Sequence, residues 1–150
     1  MTRVAIALGS NLGDRAHYLR EAVEALRPHI SSLTLSRLHE TAPVGVGDQP
    51  LFLNAAAVGI TTLTAPDLLA ALLRVERQFG RERPHLGAPR TLDLDLILYG
   101  NEVVDTAALA VPHPRFRERR FVLAPLAEIA GEWCDPVTGR TIQELLDLLG

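Results

Sequence analysis

Residues 91–99 read Thr91-Leu92-Asp93-Leu94-Asp95-Leu96-Ile97-Leu98-Tyr99, and no other segment says more about the fold and the site of this chain. Apolar residues alternate with other types at the period of a β-strand. The alternation predicts two faces: a core face with Leu92, Leu94, Leu96 and Leu98, and an opposite face with Asp93, Asp95, Ile97 and Tyr99. Because the opposite face carries two carboxylates and then becomes apolar, we do not expect it to be open to solvent.

The other strands and helices follow from similar patterns. Alternating Val4, Ile6 and Leu8 indicate a first strand, and Leu33 with Leu35 indicate a second; a third is predicted over residues 51–60. A first helix carries Leu19, Ala22, Val23 and Leu26 and stops at Pro28. A second helix begins after Thr64 and continues to Gly80 with Leu68, Leu72, Val75 and Phe79 as its apolar stripe. The last begins at Thr141-Ile142-Gln143-Glu144, a capping-box sequence, and is expected to bury Ile142, Leu145, Leu146 and Leu149.

Strand, helix, strand, strand, helix, strand is the order of a ferredoxin-like unit. We therefore predict an α+β fold: one domain over residues 1–150, with an antiparallel sheet and helices packed on both faces as a three-layer α/β/α sandwich. One or two short strands and the last helix are expected after residue 100. Two loops rich in proline and glycine, at residues 40–50 and 80–90, are long enough to be functional.

Composition excludes several classes of protein. At 150 residues, with 47% hydrophobic and 22% charged positions, the chain can bury its own core. A single cysteine, Cys134, excludes an internal disulfide and a cysteine-cluster metal site. The net charge of −3 disfavours a nucleic-acid or membrane-surface binder. No signal peptide or stretch of about 20 apolar residues is visible, so we expect a cytoplasmic protein.

The paired aspartates indicate a metal site. On one strand face, Asp93 and Asp95 have β-carbons about 7 Å apart. Two bare carboxylates at that distance repel by roughly 2 kcal/mol at an effective dielectric of about 20, a cost that a cation offsets. Magnesium fits, since it takes one or two protein carboxylates and fills its shell with water and substrate phosphates. The alternative is a solvated face whose aspartates pair with arginines.

Arginines flank the carboxylates on both sides in sequence. They lie at Arg77, Arg81, Arg83 and Arg90 before the strand, and at Arg115, Arg117, Arg119 and Arg120 after it, next to His113. Guanidinium groups beside a magnesium-type acidic pair favour a polyphosphate substrate, although any single arginine is more often an ordinary surface residue. Glycine-rich phosphate motifs, the P-loop and G-x-G-x-x-G, are missing from the sequence.

Four blocks of sequence closely resemble the 6-hydroxymethyl-7,8-dihydropterin pyrophosphokinase family of folate biosynthesis. They are Ala7-Leu8-Gly9-Ser10-Asn11-Leu12-Gly13-Asp14, Glu40-Thr41-Ala42-Pro43 through Asn54-Ala55-Ala56, Pro89-Arg90-Thr91-Leu92-Asp93-Leu94-Asp95 through Gly100, and Val111-Pro112-His113-Pro114-Arg115 with Arg119 and Phe121. The resemblance implies transfer of diphosphate from ATP to the pterin hydroxymethyl group, with release of AMP. It also implies a monomer whose substrates are ATP and 6-hydroxymethyl-7,8-dihydropterin, without nucleic-acid or membrane partners.

The resemblance further implies a role for each matching residue. Asp93 and Asp95 correspond to ligands of two magnesium ions that bind with ATP, and Arg81, Arg90 and Asp95 to the catalytic group. The implied ATP contacts are Arg81, Arg83, Arg90, Leu96, His113 and Arg119. The implied pterin contacts are Thr41, Ala42, Val44, Phe52, Asn54, Phe121 and Asp93, with Phe52 and Phe121 stacking on the ring. Glu76 corresponds to a supporting position near the metal and pterin.

Some positions depart from the family pattern or have a second interpretation. Pro84, Ala108, Ala110 and Pro114 replace expected contact residues, so some ATP contacts there would be lost, or remade by backbone groups and by Arg115 or Arg117. From the residues alone, Glu76 is equally a paired structural acid, and Phe52 and Phe121 are core residues. Two other functions stay open: a metal-dependent phosphohydrolase using the same aspartates, and a nucleic-acid-binding module using Arg115–Arg120.

Overall fold

A computed structural model describes residues 1–41, 51–80 and 91–150. Its elements, in chain order, are β1 (Thr2–Ser10), α1 (Arg15–Leu26), β2 (Ser31–Leu35), β3 (His39–Thr41), β4 (Phe52–Thr61), α2 (Ala65–Gln78), β5 (Asp93–Tyr99), β6 (Val104–Asp105), β7 (Ala110–Val111), a 3-10 turn (Phe116–Glu118), α3 (Arg120–Ala130) and α4 (Ile142–Leu148). Within these ranges, no helix is long and apolar enough to cross a bilayer.

The main sheet is antiparallel and has five strands. Four of the strands follow the order β2-β4-β1-β5. The fifth, β3, pairs with the first residues of β4, and β2 pairs with the last residues of β4 along the same edge. Strands β1 and β4 pair without interruption from Thr2 opposite Thr61 to Ser10 opposite Leu53. Ser36 closes the gap between β2 and β3, because its amide donates to the Ala56 carbonyl at 2.8 Å and its hydroxyl accepts from the Ala56 amide at 2.9 Å.

Two hydrophobic clusters bury the residues of the sheet. Val4, Ile6 and Leu8 of β1 belong to a cluster that includes the buried residues of α1 and α2. The intervening Ala5, with Ala56 and Val58 of β4, belongs to a second cluster that includes the buried residues of α3 and α4. The chain is therefore an α+β protein whose antiparallel sheet is packed with helices, as the sequence predicts.

Local sequence signals account for the helix boundaries. Asp14 caps α1 by accepting from the His17 amide, and Thr64 caps α2 by accepting from the Asp67 amide. In α4 both capping-box hydrogen bonds between Thr141 and Glu144 are present. The four residues predicted to be buried in α1, namely Leu19, Ala22, Val23 and Leu26, are its buried residues. In α4 the prediction holds for Ile142 and Leu145, but Leu149 lies beyond the helix and is 39% exposed.

The predicted faces of β5 are correct only for its first part. Ala5 pairs with Leu98 and Ile6 with Leu96, so Ile97 is an extra residue, a β-bulge. A bulge shifts every later side chain to the other face. Leu98 therefore packs in the cluster with α3 and α4. Tyr99 packs in the cluster with α1 and α2, where its hydroxyl donates to the Leu63 carbonyl.

Two elements are absent from the sequence prediction. Strand β3 has three residues, too few for an alternating pattern, and pairs His39 with Asn54, Glu40 with Leu53 and Thr41 with Phe52. Helix α3 contains Pro125 and has no side-chain hydrogen bond at its N-cap, so it lacks the usual start signals. Both elements carry residues next to the candidate site.

Candidate functional site

Asp93, Gly9, Asn54 and His39 form one row across four strands. Asp93 lies opposite Gly9, Gly9 opposite Asn54, and Asn54 opposite His39. Residues paired in an antiparallel sheet point to the same face, so this row lies on the face that packs against α3. Neighbouring strands are about 4.8 Å apart, which separates the Asp93 and Asn54 backbones by about 10 Å.

A second row places Asp95 beside small residues. Asp95 lies opposite Ala7, and Ala7 lies opposite Ala56. Both aspartates are half-buried and on the same face, before the Ile97 bulge. Beside the two carboxylates, Ala7 is half-buried and packs against the cluster with α3 and α4, and Ala56 is buried in that cluster.

Asn54 and Thr41 are joined directly. The Asn54 side chain is 6% exposed, and its Nδ2 donates to the Thr41 Oγ1 at 2.5 Å. A β-carbon built on Gly9 would lie 3.0 Å from Asn54 Oδ1 and 3.6 Å from the Phe52 ring. The Asn54 carboxamide therefore lies over Gly9 with Phe52 beside it, and the structure brings together three of the predicted pterin contacts.

The segment that follows β7 brings a histidine and an arginine to the same side of the sheet. The His113 amide donates to the Ile97 carbonyl at 2.9 Å, which fixes this segment against β5. The guanidinium carbon of Arg119 lies 5.5 Å from the centroid of the Phe121 ring, a cation–π geometry. Phe121 is itself half-buried against the α3 and α4 cluster. Predicted ATP contacts and one predicted pterin contact therefore occupy adjacent positions.

The charge state of His113 is set by its surroundings. Burial lowers the pKa of His113, the positive charges of Arg119 and Arg115 lower it further, and the carboxylate of Asp93 partly opposes them. The ring is therefore neutral at pH 7. Its Nδ1 accepts from the Arg115 amide at 3.2 Å, so the ring proton resides on Nε2, which is left as a hydrogen-bond donor.

Glu76 is a buried acid with a structural partner. It lies in α2, is 3% exposed, and its Oε2 accepts from the Leu94 amide at 2.7 Å. This bond satisfies a backbone donor on the edge of β5, between the two aspartates. The structure thus supports the interpretation of Glu76 as a paired structural acid, adjacent to Asp93 and Asp95 along the strand.

Arg117 and Arg115 differ in their surroundings. Arg117 donates from Nε at 2.5 Å and from Nη2 at 2.9 Å to the carboxylate of Asp135, which is 0% exposed. It is therefore committed to a salt bridge and is a poor candidate for an ATP contact. Arg115 has a side chain that is 64% exposed and lies 3.8 Å from Glu118, so it can still reach a ligand.

Other predicted residues are placed only in part. Leu96 is 4% exposed and packs in the α1 and α2 cluster, so its backbone alone could contact ATP. The predictions for Ala42, Val44, Arg81, Arg83 and Arg90 lie outside the described residues.

Sequence reasoning missed one charged cluster at this side of the sheet. Glu128 of α3 accepts from the Arg37 amide at 3.0 Å, from the Arg37 Nη2 at 2.9 Å, and contacts His39 Nε2 at 2.9 Å. The cluster attaches the segment between β2 and β3 to α3. No sequence signal could have identified it, because its members are up to 91 residues apart.

The described residues fit a magnesium site that is completed by oxygens of a bound phosphate. Among them, no group of three or more histidine, cysteine or acidic side chains is arranged to hold a metal. Two carboxylates on one strand face are enough for Mg²⁺, which keeps several waters and takes further oxygens from substrate phosphates. A site that holds its ion only together with a phosphate ligand is consistent with these residues.

Comparison with known proteins identifies the family. The profile of the 7,8-dihydro-6-hydroxymethylpterin-pyrophosphokinase (HPPK) family matches residues 5–131. The chain belongs to the HPPK family. It is 49% identical over 126 residues to the 2-amino-4-hydroxy-6-hydroxymethyldihydropteridine pyrophosphokinase of Bacillus subtilis, covering 83% of this chain and 75% of the relative. The Synechocystis enzyme of the same name is 40% identical over 144 residues, covering 95% of this chain and 73% of the relative.

HPPK units also occur within larger proteins. The mitochondrial folate synthesis bifunctional protein of Arabidopsis thaliana is 47% identical over 133 residues, which cover 88% of this chain and 24% of that protein. The wild-type HPPK-DHPS structure of Plasmodium falciparum with pteroate has a TM-score of 0.76 and 14% identity, covering 98% of this chain and 42% of that one. The structural match supports the HPPK fold alone. All the candidate site residues lie inside the matched range, whereas Asp135 lies beyond it.

Proposed function

We propose that this HPPK chain transfers the diphosphate of ATP to the hydroxymethyl group of 6-hydroxymethyl-7,8-dihydropterin, giving AMP and the dihydropterin diphosphate in folate biosynthesis. Membership of the family makes it an ATP-dependent diphosphotransferase. The observation that carries the proposal is the row formed by Asp93, Gly9 and Asn54, in which a carboxylate and a carboxamide face the same side of the sheet across a glycine.

Asp93 and Asp95 are proposed to hold the magnesium ions that accompany ATP, two in number as in the family. When bound, magnesium neutralises charge on the phosphate oxygens. The carboxylates share one face of β5 and are only half-buried, which suits an ion that takes its other ligands from water and phosphate.

His113 and Arg119 are proposed to bind the ATP phosphates. The neutral His113 ring donates from Nε2, and the Arg119 guanidinium supplies positive charge and several donors. Arg81, Arg83 and Arg90, together with the backbone at Leu96, complete the proposed set of ATP contacts. Of these, Arg81 and Arg90 are proposed to stabilise the charge that develops as AMP departs.

Asn54, Thr41 and two phenylalanines are proposed to bind the pterin. A carboxamide presents one acceptor and two donors, which suits the edge of a heteroaromatic ring with both kinds of group. Phe52 and Phe121 offer ring faces for stacking, and Ala42 and Val44 offer backbone groups. Asp93 is proposed to contact the pterin as well as the metal. Glu76 is proposed to support this part of β5 through its hydrogen bond from the Leu94 amide.

In the proposed reaction the pterin hydroxyl oxygen attacks the β-phosphorus of ATP in line. The bond from that phosphorus to the oxygen on the α-phosphate breaks, AMP leaves, and the hydroxyl proton passes to solvent. Little covalent chemistry is required of the protein, so we attribute catalysis to positioning and to stabilisation of charge.

The proposal extends to the finer architecture and to the setting of the enzyme. We propose a ferredoxin-like, three-layer α/β/α arrangement, supported by the strand order β2-β4-β1-β5 and by the two clusters that separate α1 and α2 from α3 and α4. A cytoplasmic monomer without nucleic-acid or membrane partners stays a prediction, with the chain length and net charge in its favour.

One experiment tests the function. The pure protein is incubated with ATP, MgCl₂ and 6-hydroxymethyl-7,8-dihydropterin, and the products are separated by chromatography. We expect AMP and dihydropterin diphosphate in equal amounts. Free phosphate with ADP would instead indicate a phosphohydrolase, and the absence of any nucleotide product would contradict the proposal.

A further inference from the structure

The segment of residues 113–119 carries two of the proposed ATP contacts but has little regular structure of its own. Its only helical element is the three-residue 3-10 turn Phe116–Glu118, which has no side-chain hydrogen bond at its N-cap. His113 and Arg119 lie at the two ends of the segment. Their relative position therefore depends on what holds the residues between them.

Backbone hydrogen bonds from the Phe116 amide to the His113 carbonyl at 3.3 Å and from the Arg119 amide to the Phe116 carbonyl at 3.2 Å shape the 113–119 segment locally. Two side-chain contacts then hold its middle against the rest of the chain. Phe116 is 0% exposed and packs in the cluster with α3 and α4. The guanidinium carbon of Arg117 lies 4.8 Å from the centroid of the Phe116 ring, while its Nε and Nη2 donate to Asp135. The planar guanidinium is thus fixed on one side by an aromatic ring and at its edge by a carboxylate.

The Asp135 carboxylate is fully buried and fully used. Besides the two bonds from Arg117, Oδ1 accepts from the Val137 amide at 3.0 Å and Oδ2 accepts from the Thr138 hydroxyl at 2.7 Å. Four donors bind this buried carboxylate, so the Asp135 side chain has a single orientation, because any rotation would break several charge-assisted hydrogen bonds.

The turn that presents Asp135 is itself tied to α3 and α4. The Asp135 amide donates to the Arg140 carbonyl at 2.8 Å, and the Gly139 amide donates to the Asp135 carbonyl at 2.8 Å. The Ile142 amide donates to the Trp133 carbonyl at 2.9 Å, and the Gln143 amide to the Gly131 carbonyl at 2.9 Å. Asp135 is therefore a rigid support, supplied by a part of the chain that follows the family-matched residues 5–131.

We infer that Asp135 is a positioning residue for ATP: through its salt bridge to Arg117 it fixes the 113–119 segment so that His113 and Arg119 present their donors to the phosphates together. The inference rests on the proposed function, which makes His113 and Arg119 ATP contacts. Asp135 itself is 0% exposed, so its role is to position the segment and not to contact a substrate.

The consequence for binding is specific to the nucleotide. Without the carboxylate, Arg117 is left partly buried without its partner, and the 113–119 segment samples several arrangements. Binding ATP then has to order the segment, which costs free energy. The proposed pterin contacts Asn54 and Thr41 lie on β4 and β3 and are joined to each other. Phe121 is held separately, in α3 and against its cluster, so binding of the pterin is expected to change far less than binding of ATP.

The test uses the full chain with Asp135→Asn, and measures steady-state kinetics and the binding of α,β-methylene-ATP by calorimetry. We expect the KM for ATP and the Kd for the analogue to rise about 10-fold, since misplacements of about 1 Å cost up to about 100-fold at such sites. The KM for the pterin should stay within twofold. An unchanged KM and Kd for nucleotide in folded Asp135→Asn would overturn the inference.

Two further variants separate positioning from mere stability. Thr138→Val removes one of the four donors to Asp135 and is the milder variant, for use if Asp135→Asn does not fold. It should raise the Kd for the analogue by about 2-fold to 3-fold, in line with the loss of one hydrogen bond. Thr141→Ala removes the α4 cap in the same part of the chain, so it should lower the stability of the protein but leave nucleotide binding unchanged. Equal losses of nucleotide binding in Thr138→Val and Thr141→Ala would show that Asp135 has a purely structural role and would overturn the inference.

The same measurements distinguish this inference from the proposed function. If the unsubstituted chain binds the analogue but forms no AMP, the proposed function fails, while a weaker Kd in Asp135→Asn still supports the positioning role. If the unsubstituted chain forms AMP and Asp135→Asn matches it in KM for ATP, the positioning role fails and the function stands. Absence of nucleotide binding by the unsubstituted chain overturns both.

Discussion

The side chain of Asn54 lies over Gly9, so that a β-carbon on residue 9 would be 3.0 Å from Asn54 Oδ1. Few β-carbons approach an oxygen so closely, and the carboxamide could not keep its position if residue 9 were any other amino acid. The absence of a side chain at Gly9 therefore permits the position of the Asn54 carboxamide, which is also held by its hydrogen bond to Thr41.

Gly9→Ala is expected to weaken pterin binding. The added methyl group displaces the Asn54 carboxamide by a few tenths of an ångström and crowds the Phe52 ring. We expect the KM for the pterin to rise several-fold while the KM for ATP stays within twofold, which steady-state kinetics with each substrate varied in turn will measure. An equal rise in both values would show that the change had distorted the sheet and not the pterin contacts.

Asp95→Asn is expected to remove activity and preserve the fold. The carboxamide has the shape of the carboxylate but lacks its charge, so it holds magnesium and its phosphate ligands far less well. We expect AMP formation to fall by at least about 100-fold, consistent with losses seen for groups that stabilise transition-state charge. Asp105→Asn, an exposed aspartate on β6, is the matched control and should retain full activity. Undiminished turnover of Asp95→Asn in magnesium would refute its assignment as a ligand.

The Asp135 to Arg117 salt bridge is expected to make stability fall in acid. Burial alone would raise the pKa of Asp135, but the hydrogen bonds from Arg117, Thr138 and the Val137 amide outweigh it and hold the pKa below its usual value of 3.8. A carboxyl whose pKa is lowered by folding stabilises the protein above its unfolded pKa, and that contribution is lost as the pH falls through the folded pKa.

Denaturant unfolding of the parent chain and of Asp135→Asn from pH 7 down to pH 2 measures this contribution. At pH 7 the variant should be less stable by about 3 kcal/mol or more, as expected when one partner of a buried ion pair is removed. The difference between the two proteins should shrink below pH 4. A difference that stays constant down to pH 2 would show that the charge of Asp135 contributes nothing.

Glu128→Ala is expected to loosen β3 and with it one side of the proposed pterin site. The variant leaves the Arg37 amide without its acceptor and removes the contact to His39, which lies in the row with Asn54. We expect a loss of about 1 kcal/mol, because the Arg37 side chain is 84% exposed and its ion pair adds little. The KM for the pterin should rise about twofold to threefold, following the small loss of order in β3. Glu132→Ala, an exposed acid just beyond α3, should change neither stability nor KM.

Much of the fold could be predicted because its signals are local. Alternation in β1, the apolar stripes of α1 and α2, and the caps at Thr64 and Thr141 each depend on residues a few positions apart. The pairing of Asp93 and Asp95 on one face was equally local, since two residues of a strand settle it. The structure agrees with all of these predictions.

What could not be predicted depends on contacts between distant parts of the chain. In the sequence Arg117 is one of several arginines, and only the fold shows that its guanidinium is bound to the buried carboxylate of Asp135. Strand β3 is three residues long, and its extended conformation depends on backbone pairing with β4. Helix α3 contains Pro125 and lacks a side-chain cap, and its apolar residues are held by packing against the sheet.

The bulge at Ile97 restricts how the length of β5 can vary. Deleting one residue at the bulge would restore regular alternation along β5. Either the two acids or Leu98 and Tyr99 would then have to move to the opposite face of the sheet. A chain shortened by one residue here could keep either its folded interior or both acids on the face of the proposed ion site, but not both. A screen of single-residue deletions along β5 should therefore find no tolerated position between Asp95 and Leu98, although point substitutions at Ile97 that keep an apolar side chain survive.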